Sequence, residues 1–142
     1  MRIADVLRSK GTQVATVAPT ATVTELLRNL AENNIGAMVV LDADGIAGIV
    51  SERDVVRKLH QHGSDLLGKP VSDIMTTMVA SCSPEDSVDQ LNVLMTERRI
   101  RHVPVLVDGK LAGIVSIGDV VKVRMQELEK NQEQLEAYIA QG

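Results

Sequence analysis

Residues 48–56 read GIVSERDVV, and residues 113–121 read GIVSIGDVV. Only the central pair changes, Glu52-Arg53 in the first stretch and Ile117-Gly118 in the second. The spacing of 65 residues extends outward in both directions. Pro19 meets Pro84, Val23 meets Val88, Leu26 meets Leu91, Ile35 meets Ile100, and Val40-Leu41 meets Val105-Leu106. Between 17–58 and 82–123 there are 15 identities in 42 positions without a gap. Self-similarity at a fixed offset marks one supersecondary unit used twice.

Each copy reads in the same order. A short β-prone stretch (QVATV, 13–17; MVASC, 78–82) is followed by a polar turn containing Pro19 or Pro84. Thr22 and Ser87 are N-cap residue types. After them Val23, Leu26, Leu27 and Leu30, or Val88, Leu91, Leu94 and Met95, recur at helical spacing. Apolar runs follow (AMVVL, HVPVLV), bounded by DADG or DGK, which are hairpin-turn residues. A second strand (IAGIV, LAGIV) leads to Ser51 or Ser116, after which a helix begins. The expected order is β-α-β-β-α, twice. Neither copy is long enough to cover its own sheet, so the copies should pack sheet to sheet. The fold expected is therefore α/β of the α+β kind, with pseudo-two-fold symmetry and an added C-terminal helix.

Three segments follow. Residues 1–68 hold the first repeat with an N-terminal helix and a polar Gly/Pro linker (58–70), 69–125 hold the second repeat, and 126–142 form a helical tail. Leading into and along that tail, Val121, Met125, Leu128, Gln132, Leu135 and Ile139 step by four and three, the spacing of a coiled-coil seam. The readings open for it are packing on a partner subunit, or a helix lying on its own domain or partly frayed.

Composition narrows the function. At 142 residues with 44% hydrophobic and 24% charged content, the chain suits a soluble globular protein. Its net charge of −4 argues against neutralising a phosphate backbone, so nucleic acid is not an expected partner. No apolar run approaches the roughly 20 residues that span a bilayer, and MRIADVLRSKG lacks a secretory signal's apolar stretch, so neither membrane association nor export is expected. Cys82 is the single cysteine, so no internal disulfide is possible, and the cytoplasm is the expected location. Tyr138 is the one aromatic residue. A flat heterocycle bound elsewhere would therefore rest on aliphatic side chains or backbone, and stacking of single-stranded bases is excluded over 1–137.

The Ser-x-x-Asp motif sits at each strand-to-helix junction. The first N–H groups of a helix have no intrahelical partner and lie at the positive end of its dipole, so a phosphate is a natural guest there. Ser51 or Ser116 could add a hydroxyl. Asp54 or Asp119, in the first turn, could accept from two adjacent ribose hydroxyls. Gly48 and Gly113 stand where a ligand would need close approach to the strand, and apolar walls complete a nucleotide pocket. The same residues also stabilise any helix as cap and first-turn acid, and the repeat alone does not separate the two readings.

The pattern over residues 1–125 resembles a pair of CBS (cystathionine β-synthase) domains, the Bateman module. GIVSERDVV and GIVSIGDVV look like the family's closing strand–helix motif, and IGAMVVLDADG and IRHVPVLVDGK look like its central hairpin. The resemblance implies adenosine ligands such as AMP, ADP, ATP, NAD(H) or S-adenosylmethionine in clefts between the repeats. It implies that Ser116 and Asp119 hold one ligand, whose base faces Thr12, Val14, Ala15 and Ile35, with Arg101 and His102 against phosphate. It implies that Ser51 and Asp54 hold the other, facing Thr77, Val79, Ala80 and Ile100, with Arg53 as cation source and Gly36 and Ala37 on the adjoining hairpin. Pro104 occupies the family's proline position, whereas Val39 departs from it.

No other constellation suggests chemistry. His60 and His62 are two apart and share no helical face. Cys82 reads as a small buried hydrophobe, and the methionines as core or interface filler. No Walker loop or nucleophile elbow occurs, so no catalytic residue, metal or catalytic cofactor is expected. The expected function is that of a non-catalytic sensor of adenosine nucleotides, with AMP or NAD(H) favoured and ATP or ADP next. It would act as a homodimer on a regulated protein. The alternative is a dimeric interaction scaffold with vestigial clefts.

Overall fold

The computed structural model describes residues 1–141; Gly142, the end of the expected tail, lies outside the described residues. The chain opens with α1 (Ile3–Lys10). The first repeat follows as β1 (Thr16–Val17), α2 (Val23–Asn33), β2 (Ala37–Asp42), β3 (Gly45–Ser51) and α3 (Glu52–His62). The second holds α4 (Val88–Arg98), β4 (His102–Val107), β5 (Lys110–Ser116) and α5 (Ile117–Gln141). The helix starts fall where the cap residues place them. Thr22 Oγ1 accepts from Glu25 N at 3.2 Å, and Ser87 Oγ accepts from Gln90 N at 3.0 Å.

Both hairpins are antiparallel, with equivalent registers Ala37↔Ser51 and His102↔Ser116 and a matching irregularity after Val40 and Val105. The DG turn closes β4–β5 with Asp108 at φ 52° and Gly109 at φ 76°, the left-handed pair that matches strand twist. The leading strands are shorter than the sequence suggests. β1 pairs only Thr16↔Val39 and Val17↔Val40, in parallel. The stretch expected as a strand over 78–82 is reduced to one parallel bridge, Cys82↔Val105. Cys82 keeps the register because its side chain is buried against the second core, whereas Met78 is 87% exposed.

Two cores form, one per repeat, and each is completed by a segment from the other side of the chain. Val17, Leu26, Val40, Val50 and Leu66 build the first; Val88, Leu91, Val103, Val105 and Val115 build the second. α1 precedes the first repeat, yet its Ile3, Val6 and Leu7 belong to the second core. Backbone bonds Ile3 N→Asp86 O (2.9 Å) and Val88 N→Met1 O (3.0 Å) hold it there. Reciprocally Val71 and Ile74, which open the 69–125 segment ahead of α4, lie in the first core. Val6 and Val71 are 65 residues apart, so this exchange of segments obeys the same pseudo-two-fold relation. The polar linker also differs from expectation. Leu66, in the 3-10 segment Gly63–Gly68, is fully buried, because one apolar side chain in a short connection gains more from the core than from water.

The two glycines of the repeated motif are explained by this exchange and not by a ligand. A Cβ on Gly48 would lie 2.6 Å from the Thr76 carbonyl oxygen and 2.9 Å from Met75 Sδ; one on Gly113 would lie 2.8 Å from Leu7 Cδ2. The crossing segments occupy the approach that the sequence leaves open to a nucleotide.

Candidate functional site

The Ser-x-x-Asp motif folds identically in both repeats. Ser51 N donates to Asp54 Oδ2 at 2.8 Å and Ser51 Oγ donates to the same oxygen at 3.1 Å. Ser116 N and Ser116 Oγ do the same to Asp119 Oδ2, at 2.8 and 3.1 Å. Each aspartate is thus a capping partner through Oδ2. The capping reading is realised in the structure, and it leaves Oδ1 of each carboxylate free of these bonds. The helix starts are also tied to the hairpins: Glu52 N donates to Gly36 O (2.9 Å) and Ile117 N to Arg101 O (2.8 Å). Each β-strand entrance is therefore fixed against the motif that follows it.

One contact separates the two copies. Lys10, at the end of α1, donates from Nζ to Asp119 Oδ2 at 2.7 Å and to the Ile114 carbonyl at 2.9 Å. Among the described residues Asp54 has no such cation. Position 75, equivalent to Lys10, is methionine. Burial pushes the Asp119 carboxyl up, but the Lys10 ammonium and the Ser116 bonds together hold it below its ordinary value. His102 is pushed below its ordinary value by burial first and by Lys10 second, against opposing pulls from Asp119 and Glu52. The net effect favours the neutral imidazole.

A cleft of about 760 Å³ opens at this place, lined by residues of both repeats. His102, Ile114 and Ser116 form one wall, and Val14, Ala15, Ile35, Gly36 and Ala37 the other. Lys10, Gln13, Asn33 and Asn34 complete the rim. Asp119 meets this cleft through its bond to Lys10. Of the residues expected to face the ligand of Ser116 and Asp119, Val14, Ala15, Ile35 and His102 line it; Thr12 and Arg101 are exposed and do not. Gly36 and Ala37, expected beside Asp54, do stand at that helix start, where Gly36 O accepts from Glu52 N and Ala37 pairs with Ser51, and they also line this cleft. Sequence reasoning missed Lys10, Gln13, Asn33, Asn34 and Ile114. Asn34 carried a signal, since it ends α2 at φ 52°, where asparagine is favoured. Lys10 carried none, because the repeat offers no lysine at position 75.

The other expected set is less gathered. Ser51 and Asp54 are half-buried, Arg53 and Thr77 exposed, and Val79 and Ala80 half-buried. Ile100 packs against the second core. None of these residues lines the 760 Å³ cleft. Cys82 is buried, and burial, aided by Asp86, pushes its thiol up to about 12, as suits a core position. Among the described residues no cluster of three or more His, Cys, Asp or Glu gathers as a metal site, and no helix is long and apolar enough to cross a membrane.

The CBS domain family profile matches residues 3–61 and 71–126, and the chain belongs to that family as a tandem pair. It is 36% identical over 149 residues to the mitochondrial CBS domain-containing protein CBSX3 of Arabidopsis thaliana, covering 99% of this chain and 72% of that one. The solved CBS-domain containing protein of Agrobacterium tumefaciens superimposes with a TM-score of 0.85 at 46% identity, over 87% of this chain and 92% of that one. A CBS domain protein of Pyrobaculum aerophilum, solved complexed with AMP, superimposes with a TM-score of 0.75 at 29% identity. The match spans 84% of this chain and 89% of that one.

Proposed function

We propose that this chain is a non-catalytic regulatory module that binds an adenosine nucleotide in the seam cleft and passes its occupancy to a partner protein. One observation carries the reading: a cleft of nucleotide size is walled by both repeats and carries Lys10, bonded to Asp119, at its rim. Asp119 Oδ1 supplies an acceptor for ribose hydroxyls. Val14, Ala15 and Ile35 supply an aliphatic bed for a base. AMP and NAD(H) fit best, since one lysine suits one or two phosphates better than three; ATP and ADP follow. The AMP complex of the Pyrobaculum relative supports the ligand class. A ligand touching both repeats favours one relative packing of the halves, and by linkage a partner that reads that packing feels the ligand.

Thermal unfolding with AMP, NAD(H), ADP and ATP tests this. Ligand at 100 times its dissociation constant should add about 2.7 kcal/mol, a rise of roughly 5–10 °C for a chain of this size. No rise with any of them overturns the reading.

The scaffold reading has its own observation. Val121, Met125, Leu128, Leu135 and Ile139 are each 49–67% exposed along α5. A second copy is the occupant this seam fits. Gln132 falls at an a-type position and would meet its counterpart, and a polar pair there sets register. Leu128→Glu should convert a dimer to a monomer by light scattering. A wild-type monomer, or an unchanged dimer in the variant, removes the seam from the assembly.

A further inference from the structure

Among the described residues lining the cleft, Lys10 carries the one permanent charge. Gln13, Asn33 and Asn34 are neutral amides, and burial favours the neutral form of His102. Arg101, the cation expected from sequence, is exposed and outside the lining. Lys10 is also well anchored. Two of its three ammonium donors are used, by Asp119 Oδ2 and the Ile114 carbonyl, and its side chain is only 32% exposed. The carboxylate it meets is the one proposed to hold ribose.

Glu52 adds a constraint from the opposite repeat. A Cβ on Gly36 would lie 3.5 Å from His102 Cε1 and 3.7 Å from the Glu52 carboxyl carbon. The Glu52 carboxyl thus stands beside Gly36 and His102, next to the cleft lining but not part of it. A cleft with one fixed ammonium in its lining and a carboxylate beside it accepts a compact anion and repels an extended one.

Resting on the nucleotide reading above, we propose that Lys10 is the specificity-determining residue of this cleft. It selects a ligand that carries a monophosphate beside its ribose over the bare nucleoside and over the triphosphate. The phosphate takes the third donor of Lys10 while Asp119 keeps the ribose. Because Met75 stands at the equivalent place in the other repeat, this selection belongs to the Ser116–Asp119 cleft alone.

Isothermal titration with AMP, adenosine and ATP against wild type, Lys10→Met and Lys10→Arg tests it. Lys10→Met should weaken AMP by about 10- to 100-fold, the loss of one charge-assisted hydrogen bond. It should leave adenosine within about twofold of wild type, a limit set by the uncharged ligand's lack of any partner for the ammonium. Lys10→Arg should restore most of the AMP affinity. Lys10→Met weakening AMP and adenosine alike would show a packing role and overturn the proposal, as would unchanged AMP binding. Wild-type protein that binds adenosine as tightly as AMP overturns the role of Lys10 and leaves the nucleotide reading standing. Wild-type protein that binds none of the three overturns both.

Discussion

Replacing Asp119 with alanine is expected to weaken AMP binding by about 100-fold, and replacing Asp54 is expected to leave that binding within about threefold of wild type. The size follows from two hydroxyl–carboxylate bonds, each charge-assisted and worth about 1.5 kcal/mol or more, at 1.4 kcal/mol per tenfold. The pair makes a controlled comparison because the two aspartates cap their helices in the same way. Each accepts from its own serine's N–H and hydroxyl at 2.8 and 3.1 Å. Each alanine should therefore cost a similar loss of helix capping, about 1 kcal/mol. What differs is position: Asp119 is tied to the cleft through Lys10, and Asp54 is not. Titration calorimetry with thermal melts of both variants reads the two effects separately. Equal losses of affinity, scaling with equal losses of stability, would reduce the motif to a helix cap in both copies and sink ribose recognition by Asp119.

The repeat made the fold legible. An offset of 65 fixed which apolar residues were equivalent, and the DADG and DGK turns fixed the hairpins. Thr22, Ser51, Ser87 and Ser116 fixed where helices begin, since each of these features acts within a few residues. What the sequence hid was every contact made across long separations. Nothing in IADVLRSK says that Ile3, Val6 and Leu7 fill the second core and not the first. A single helix with one apolar face fits either. Lys10 was invisible for the same reason, since its partners lie more than a hundred residues away. That Gly36 and Ala37, besides standing at the Ser51 helix start, also line the seam cleft was hidden by the same gap. Periodicity tells which face of a strand is buried and does not tell which sheet stands opposite.

Gly48→Ala is expected to cost about 3 kcal/mol of stability, the upper part of the overpacking range, while Gly113→Ala costs about 1 kcal/mol, its lower end. The motif is shared, so the difference must come from what crosses over each strand. Beside Gly48 the nearest atom to an added Cβ is the Thr76 carbonyl oxygen, at 2.6 Å. That oxygen cannot move independently, because Ile49 N donates to it at 3.0 Å and Thr76 N donates back to Ile49 O at 2.9 Å. Relief requires breaking this reciprocal pair and shifting the segment that carries Val71 and Ile74 into the first core. Beside Gly113 the nearest atom is Leu7 Cδ2, the end of a side chain that can change rotamer. Urea unfolding of the two variants reads the gap directly. Equal losses would mean that the crossing segment at 71–76 yields as easily as one leucine. The clamp holding the second repeat to the first would then be softer than its hydrogen bonds imply, and the halves could move without a ligand to drive them.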